Sequence, residues 1–319
     1  MASGTMRYAL SGKRVFVAGA RGMAGAALVR RLAREGCEVL DHGRERVDLR
    51  DLGSVEAYFA DTRPQAVFHA AGTVGGIQAN DRYPATFLYD NLAMAANVIH
   101  AAHNRGVEKL LYLGSSCIYP KHAAQPMTED ALLTGPLEPT NQWYAVAKIA
   151  GIKLCQAYRR QHGSNFIAVM PTNLYGPGDN YHPENSHVAA ALLRRFHEAR
   201  AAGAPSVTIW GTGTPCREFL YVDDLADACV FAMKEWSSED ILNVGTGTDV
   251  TIADFARTVA RVVGYQGELV FDADKPDGTP RKLLDVSRLA GLGWRAGTGL
   301  EEGLRRAYAD FVSGGGRNR

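Results

Sequence analysis

A tyrosine and a lysine four residues apart are the first candidates for chemistry in this sequence. Tyr144 and Lys148 lie in a segment whose apolar residues recur at helical intervals, which predicts a helix with both side chains on one face. A phenol has an ordinary pKa of about 10, and a neighbouring ammonium group favours its ionised form. The pair therefore predicts acid–base chemistry by a phenol that Lys148 brings towards useful strength. The same spacing is also common on ordinary helix surfaces, so the surrounding motifs must distinguish a catalytic pair from an ordinary surface pair.

Three further side chains could join this pair. Ser115 follows a strand-like apolar run over residues 109–114, where its hydroxyl can hydrogen-bond the same substrate oxygen as Tyr144. Cys117 follows two residues later, and by residue type alone it is best interpreted as a small buried residue. His187 stands at the start of a predicted helix, where it could be a first-turn residue without a chemical role.

A glycine-rich turn near the N-terminus predicts a dinucleotide site. Gly19, Gly22 and Gly25 follow a predicted strand over residues 13–18 and open a predicted helix. The first glycine permits a tight turn, the second lets a pyrophosphate approach the backbone, and the third lets the helix pack closely on the sheet. The N–H groups of the helix N-terminus then face the phosphates. An ordinary glycine-rich turn is the alternative. Two more candidate cofactor contacts lie within the turn, Arg21 and Met23.

The sequence carries signals for both nicotinamide dinucleotides. An acidic residue at the end of the second strand binds the ribose 2′-hydroxyl of NAD, whereas arginine accepts the 2′-phosphate of NADP. Asp41 stands near the end of that strand, and Arg44 follows three residues later. Because Arg21 adds a second cation within the glycine turn, we expect NADP(H) as the cofactor. NAD(H) stays possible because of Asp41.

Short apolar runs alternate with helix-length segments over the first half of the chain. This alternation predicts an α/β fold, a doubly wound parallel (Rossmann) sheet with a smaller C-terminal substrate-binding domain. Turn-rich segments multiply after Pro171, as is typical of loops that line a cleft. The predicted dinucleotide-binding domain comprises residues 13–172 with a returning segment near 218–244, the substrate-binding domain comprises 173–217 and 245–313, and the tails 1–12 and 314–319 are expected to be disordered.

Composition excludes several classes of protein. The 319 residues include 35 Lys and Arg against 34 Asp and Glu, a net charge of +1 that offers no basic field for a nucleic-acid partner. No apolar run approaches the roughly 18 residues that a membrane-spanning helix needs, and residues 1–12 lack the apolar core of a signal peptide. Five scattered cysteines without a CxxC pair predict reduced thiols in a cytoplasmic protein.

The motifs in this order resemble the extended short-chain dehydrogenases/reductases, and among them the members that epimerise and reduce GDP-4-keto sugars. The resemblance runs from about Lys13 to the last predicted helix. Its segments are residues 19–25, 74–77, 113–121, 137–141, 144–156, 170–176, 182–198, 210–224 and 272–285. The activity that it implies is NADPH-dependent 3,5-epimerisation and 4-reduction of GDP-4-keto-6-deoxy-mannose to GDP-L-fucose. The alternative is an epimerase/reductase or plain 4-reductase for another GDP-4-keto sugar, such as a 6-deoxy-heptose.

The resemblance assigns a role to each candidate. Tyr144, Lys148 and Ser115 would serve hydride transfer at the 4-keto carbon. Cys117 and His187 would be the base and the acid that invert C3 and C5, because a 4-keto group acidifies the hydrogens on both flanking carbons. A non-catalytic dinucleotide-binding protein is the alternative from another class, although it would not need Tyr144 and Lys148 in register.

The resemblance also implies binding residues and an assembly. Besides the glycine turn and Arg44, the implied cofactor contacts are Leu113, Ser115, Lys148, Pro171, Asn173, Leu174 and His187. The implied contacts to the nucleotide sugar are Arg195, Trp210, Arg217 and Asp277. Members of the family commonly form homodimers through two helices, here residues 85–105 and 144–163. A metal site at His182, Glu184 and His187 lacks a typical ligand motif, so we expect no metal.

Overall fold

A six-stranded parallel sheet forms the first layer of the computed structural model, which describes residues 7–40, 46–275 and 277–317. From one edge to the other, its strands are β10 (Leu242–Val244), β5 (Phe166–Pro171), β4 (Lys109–Leu113), β3 (Ala66–His69), β1 (Arg14–Ala18) and β2 (Glu38–Val39). The central strands are almost wholly buried, as expected for a parallel sheet covered on both faces. All its carboxyl ends meet at one edge, where the predicted chemistry lies.

Helices cover both faces of this sheet, which confirms the doubly wound α/β fold. One face carries α1 (Met23–Leu32) and α7 (Val222–Glu235), and the other carries α2 (Leu52–Thr62), α4 (Pro84–Asn104) and α5 (Gln142–His162). Alternate side chains of β1 separate the two cores, with Phe16 towards α2 and Val17 towards α1. Among the described helices, none has both the length and the apolar character needed to cross a membrane.

A second, smaller layer lies beyond β5 in the chain. Its strands are β6 (Asn173–Tyr175), β7 (Ser206–Trp210), β8 (Cys216–Arg217), β9 (Phe219–Tyr221), β11 (Val250–Thr251), β12 (Glu268–Asp272) and β13 (Arg281–Lys282), and its helices are α6 (Val188–Ala201), α8 (Ile252–Val263) and α10 (Leu300–Val312). Two short helices complete the chain, α3 (Ile77–Arg82) and α9 (Ser287–Gly291). An apolar core joins α6, α8 and α10, with Phe219 stacked on Phe255 at 4.0 Å between ring centroids. The chain returns to the first sheet through α7 and β10.

The expected disorder of both tails is wrong for the described parts of these segments. Leu10 is only 1% exposed, and the backbone N–H of Tyr8 donates to the carbonyl of Lys234 at 3.0 Å. At the other end, the N–H of Arg317 donates to the carbonyl of Asp179 at 2.9 Å. Polar composition alone predicted disorder, but both segments obtain backbone partners from distant parts of the fold.

Candidate active site

The glycine turn has the shape of a pyrophosphate cradle. Gly19 has a φ of +83°, and a Cβ there would lie 2.6 Å from the Cα of Ala71. A Cβ on Gly25 would overlap the carbonyl oxygen of Gly19, so only glycine lets α1 pack this closely. Gly22 is the N-cap of α1 and offers no side-chain cap, which leaves the first N–H groups of the helix for an anion. These residues fit a dinucleotide phosphate without further adjustment.

The other predicted cofactor contacts gather at the same edge of the sheet. Leu113, Pro171 and Asn173 stand at the ends of β4 and β5 and the start of β6. The Asn173 side-chain amide donates to the carbonyl of Glu218 at 2.8 Å, which ties this strand end to the second layer. The remaining predicted contacts flank them, Leu174 and Met23 as partly buried residues and Arg21 as an exposed one. Asp41 and Arg44 lie outside the described residues.

Lys148 is fixed beneath Tyr144 by a hydrogen bond to the sheet. Its Nζ donates to the carbonyl of Leu113 at 2.9 Å and lies 5.6 Å from the centroid of the Tyr144 ring. The side chain is 4% exposed, and this burial lowers the pKa of Lys148 to about 8, against a smaller opposite effect of Cys117. The lysine therefore lies close to the phenol, and its ammonium group is also hydrogen-bonded to the backbone of β4.

The Tyr144 phenol is less acidic than the sequence analysis predicts. Burial raises the pKa of Tyr144 well above 10, and the neighbouring Cys117 and Tyr112 raise it further. The expectation that Lys148 brings this pKa towards neutrality is therefore wrong, because desolvation of the phenolate dominates. The phenol consequently keeps its proton at neutral pH, and it can donate this proton to a ketone oxygen.

Ser115 and Cys117 form a close pair at the carboxyl end of β4. The Ser115 Oγ lies 2.9 Å from the Cys117 Sγ and accepts the N–H of Cys117 at 3.4 Å, where it caps a short 3₁₀ turn over Ser116–Ile118. Cys117 is 8% exposed. Its burial fits the structural interpretation, but its place beside a hydroxyl and a phenol also fits a proton-transfer role.

His187 stands at the start of α6 and interacts with the charge of Lys282. Its side chain is exposed, yet the protein mass around it disfavours the imidazolium and lowers the pKa of His187, with a further contribution from the charge of Lys282. The loop after β3 holds the preceding residues, because the N–H of Gly76 donates to the carbonyl of Asn185 at 3.3 Å. A Cβ on Gly76 would lie 3.0 Å from the carbonyl oxygen of Ser186. Gly76 therefore contacts the two residues that precede the histidine.

Lys282 is a site residue that the sequence reasoning missed. It lies on β13 in register with Arg217 on β8, so the two cations are neighbours. Burial lowers the pKa of Lys282, Cys117 opposes this effect, and Arg217 adds to it. Its charge thus acts on both Cys117 and His187. The signal was available, since Lys282 falls in a segment that carries the resemblance. Paired cations beside a thiol and an imidazole suit a diphosphate substrate.

The predicted sugar-nucleotide contacts are each fixed by their surroundings in a different way. Arg217 donates to the carbonyl of Cys216 at 2.8 Å, and burial lowers its pKa. Asp277 accepts the N–H and the hydroxyl of Thr212 at 2.7 and 2.8 Å, so this carboxylate shapes the loop after Trp210. The Trp210 ring is 56% exposed, as a surface for stacking must be. Arg195 on α6 donates to the carbonyl of Thr208, on the strand that ends at Trp210.

No metal site accompanies these residues in the described ranges. Within residues 7–40, 46–275 and 277–317, no group of three or more His, Cys, Asp and Glu side chains could hold a metal ion. The ring Nδ1 of His182 instead accepts the N–H of Glu184 at 3.2 Å. The candidate site residues described above are a thiol, an imidazole, a phenol and the three cations Lys148, Arg217 and Lys282.

Comparison with known proteins gives this arrangement a family. The profile of the NAD dependent epimerase/dehydratase family matches residues 15–245. A GDP-L-fucose synthase of Sinorhizobium fredii is 56% identical over 306 residues, which cover 96% of this chain and 98% of that protein. A GDP-L-fucose synthetase of Naegleria fowleri, solved with NADP, superposes with a TM-score of 0.90 at 27% identity and covers 97% of both chains. A GDP-6-OMe-4-keto-L-xylo-heptose reductase of C. jejuni has a TM-score of 0.90 at 33% identity and covers 97% of this chain and 99% of its own. The chain therefore belongs to the NAD dependent epimerase/dehydratase family, in the branch that includes the GDP-L-fucose synthases.

Proposed function

We propose that this protein catalyses the NADPH-dependent 3,5-epimerisation and 4-reduction of GDP-4-keto-6-deoxy-mannose to GDP-L-fucose. The observation that carries the proposal is the convergence of Cys117 with the Tyr144 phenol and with Lys282, the cation that also acts on His187. The high identity to GDP-L-fucose synthases supports the same substrate. Proton transfer at two carbons needs the thiol and the imidazole, and reduction needs the phenol.

The inversion steps belong to Cys117 and His187. The 4-keto group acidifies the hydrogens on C3 and C5, so the Cys117 thiolate removes a proton and leaves an enolate. His187 returns a proton to the opposite face, and this inverts the centre. Burial and the charge of Lys282 lower the pKa of His187, so the imidazole takes up a proton from solvent before this step and the resulting imidazolium is a strong acid. The Tyr144 and Ser115 hydroxyls stabilise the charge on the enolate oxygen.

The reduction step uses the protonated phenol. Bound at the glycine turn, NADPH supplies the hydride for C4. Tyr144 donates its proton to the C4 oxygen, and Lys148 beneath the ring stabilises the phenolate that results. The cofactor would be held by the cradle of Gly19, Gly22 and Gly25, and the NADP-bound relative supports NADP(H) as its identity. We assign this cofactor to residues 13–172 and 218–244, and the sugar nucleotide to residues 173–217 and 245–313.

Hydrogen exchange separates the two halves of the reaction. The protein is incubated with GDP-4-keto-6-deoxy-mannose in D₂O without NADPH, and exchange at C3 and C5 is followed by NMR. We expect Cys117→Ser to slow this exchange by about 10² to 10⁴. Tyr144→Phe should lose NADPH oxidation but keep exchange at a reduced rate, because the Ser115 hydroxyl still stabilises the enolate oxygen. Cys37→Ser, a partly buried thiol elsewhere, is the control. Undiminished exchange in Cys117→Ser would remove the epimerase half of the proposal.

A heptose substrate is the second candidate. It is favoured by the structural similarity to the C. jejuni heptose reductase, whose TM-score equals that of the fucose synthetase. Competition between GDP-4-keto-6-deoxy-mannose and a GDP-4-keto-heptose, measured as the ratio of kcat/KM, decides between the two. We expect the 6-deoxy-hexose to be preferred, since the relatives at 55 to 56% identity are named GDP-L-fucose synthase. A preference for the heptose would contradict the proposed substrate.

A homodimer through α4 and α5 is also proposed. These helices pack on each other and expose apolar side chains on their outer faces, Tyr89 (67% exposed), Leu92 (40%), Trp143 (42%) and Val146 (44%). A second copy of this face would cover them. Light scattering after gel filtration should show a dimer that Leu92→Glu dissociates, whereas Leu133→Glu, at an exposed leucine elsewhere, should leave it intact. A monomeric wild-type protein would contradict this assembly.

A cytoplasmic location completes the proposal. The proposed mechanism needs Cys117 as a free thiol, and a reducing compartment keeps thiols in that state. All five cysteines of the chain are free in the structure.

A further inference from the structure

The C-terminal segment follows a defined path after α10. The N–H of Gly315 donates to the carbonyl of Asp310 at 2.9 Å, which turns the chain away from the helix axis. Arg317 then pairs with Asn180 in a parallel β-bridge, because its N–H donates to Asp179 and its carbonyl accepts the N–H of Tyr181 at 2.7 Å. The segment is thereby attached to the loop that follows β6.

Two glycines make this path possible. A Cβ on Gly315 would overlap the carboxylate of Asp310, and a Cβ on Gly316 would lie 2.5 Å from the ring of Tyr181. That ring is buried, and the Asp310 carboxylate is engaged by the N–H of Gly178 at 2.8 Å. Neither neighbour can move without breaking other contacts, so the glycines have a steric purpose in the segment.

The path ends with the Arg317 side chain over the glycine turn. Its Nε donates to the carbonyl of Gly178 at 2.7 Å, which fixes the plane of the guanidinium. Its Nη1 lies 3.9 Å from the position that a Cβ of Gly22 would occupy. Gly22 is the residue whose missing side chain lets the dinucleotide pyrophosphate approach the backbone. The guanidinium therefore borders the space that the cofactor phosphates need.

We propose that Arg317 is a further cofactor-binding residue, which contacts the diphosphate of the dinucleotide from the C-terminal segment. The inference rests on the cofactor site of the proposed function. A guanidinium forms charge-assisted hydrogen bonds to phosphate oxygens, and it adds a cation to a helix N-terminus that already attracts anions. The buried carboxyl of Asp179 interacts with the charge of Arg317, and the attachment of the segment to the Asp179 backbone keeps the arginine in place.

Binding titrations of the full-length protein test this role. Dissociation constants for NADPH and NADH are measured by calorimetry for the wild type, Arg317→Gln, Arg317→Lys and the control Arg305→Gln. Arg305 is an exposed arginine of α10 paired with Glu301. We expect Arg317→Gln to weaken both dinucleotides by about ten- to one-hundredfold, Arg317→Lys to recover part of this loss, and Arg305→Gln to bind as the wild type does. Melting temperatures verify that each variant is folded.

Three results would overturn the inference. Unchanged affinity in Arg317→Gln would show that the arginine does not contact the cofactor. A loss confined to NADPH would place it at the 2′-phosphate instead of the diphosphate, and tighter binding would show that the segment obstructs the site. Failure of the proposed function is distinguishable, because in that case the wild-type protein itself would not bind NADPH or would form no GDP-L-fucose.

Discussion

At the scale of single residues, the candidate active site includes a lysine outside the Tyr-Lys pair that interacts with two of the other candidate residues. Lys282 is in register with Arg217, and its charge acts on both Cys117 and His187. A cation in this position disfavours the imidazolium, so it lowers the pKa of His187. It also provides a positive charge where a diphosphate substrate would bind.

Replacement of Lys282 tests this double role. In Lys282→Gln, we expect the pKa of His187 to rise towards 6.5, because the neighbouring positive charge that disfavours the imidazolium is gone. The KM for the GDP sugar should increase about tenfold, the loss of one charge-assisted hydrogen bond. Imidazole NMR titration of the free protein and steady-state kinetics measure the two effects. The control Lys153→Gln, at an exposed lysine of α5, should change neither. An unaltered histidine titration would contradict the assigned interaction.

At the scale of secondary-structure elements, α5 must lie close against β4 for the site to form. The helix carries Tyr144 and Lys148, and the strand provides the Leu113 carbonyl that holds the lysine. Gly151 permits the close approach, since a Cβ there would lie 2.5 Å from the hydroxyl oxygen of Tyr112. The Tyr112 ring is buried and also lies 5.0 Å from the Lys148 Nζ. The contact between Gly151 and Tyr112 therefore limits the distance between α5 and the sheet.

Addition of one methyl group at this contact should damage both stability and catalysis. We expect Gly151→Ala to lower the free energy of unfolding by about 1 to 3 kcal/mol, the usual cost of overpacking a filled core. It should also reduce kcat for NADPH oxidation, because α5 is displaced together with Tyr144 and Lys148, the side chains proposed to serve the reduction. Urea denaturation and steady-state kinetics provide the two readouts. Gly291→Ala is the matched control, since a Cβ there meets nothing within 4 Å. Equal stability of the two variants would show that the helix does not depend on this contact.

At the scale of the whole molecule, a buried acid lies where the C-terminal segment joins the rest of the protein. Asp179 is 3% exposed, and burial raises its pKa to about 7, against smaller opposite effects of the Asn180 N–H and the Arg317 charge. Its unfolded-state pKa is about 3.9. Between these values the folded protein binds more protons than the unfolded chain, so stability falls as the pH rises from about 4 to about 7.

Asp179→Asn should remove this pH dependence. We expect the variant to be more stable than the wild type by about 2 to 4 kcal/mol at pH 8, where the buried carboxyl is ionised. The difference should shrink towards zero as the pH approaches 4, because Asp179 is then protonated in both states. Denaturant unfolding at several pH values measures it. Asp61→Asn, at an exposed position of α2, should show no such dependence. A constant difference across the pH range would mean that the carboxyl does not titrate as described.

The sequence by itself determined the features that depend on short spacings. The turn of Gly19, Gly22 and Gly25, the shared helical face of Tyr144 and Lys148, and the serine at a strand end follow from a few consecutive residues. The alternation of strands and helices likewise determined the parallel sheet, whose carboxyl ends gather these groups at one edge. Local covalent geometry is sufficient for such patterns.

Only the tertiary structure determined the electrostatic interactions and the burial of these groups. The register of β13 on β8 brings Lys282 to Cys117 and His187, and the C-terminal path brings Arg317 to the glycine turn. Burial, which no local pattern reveals, keeps the Tyr144 phenol protonated despite its lysine. The reason is physical: electric fields and desolvation act through space, so they depend on packing between residues that are far apart in the chain.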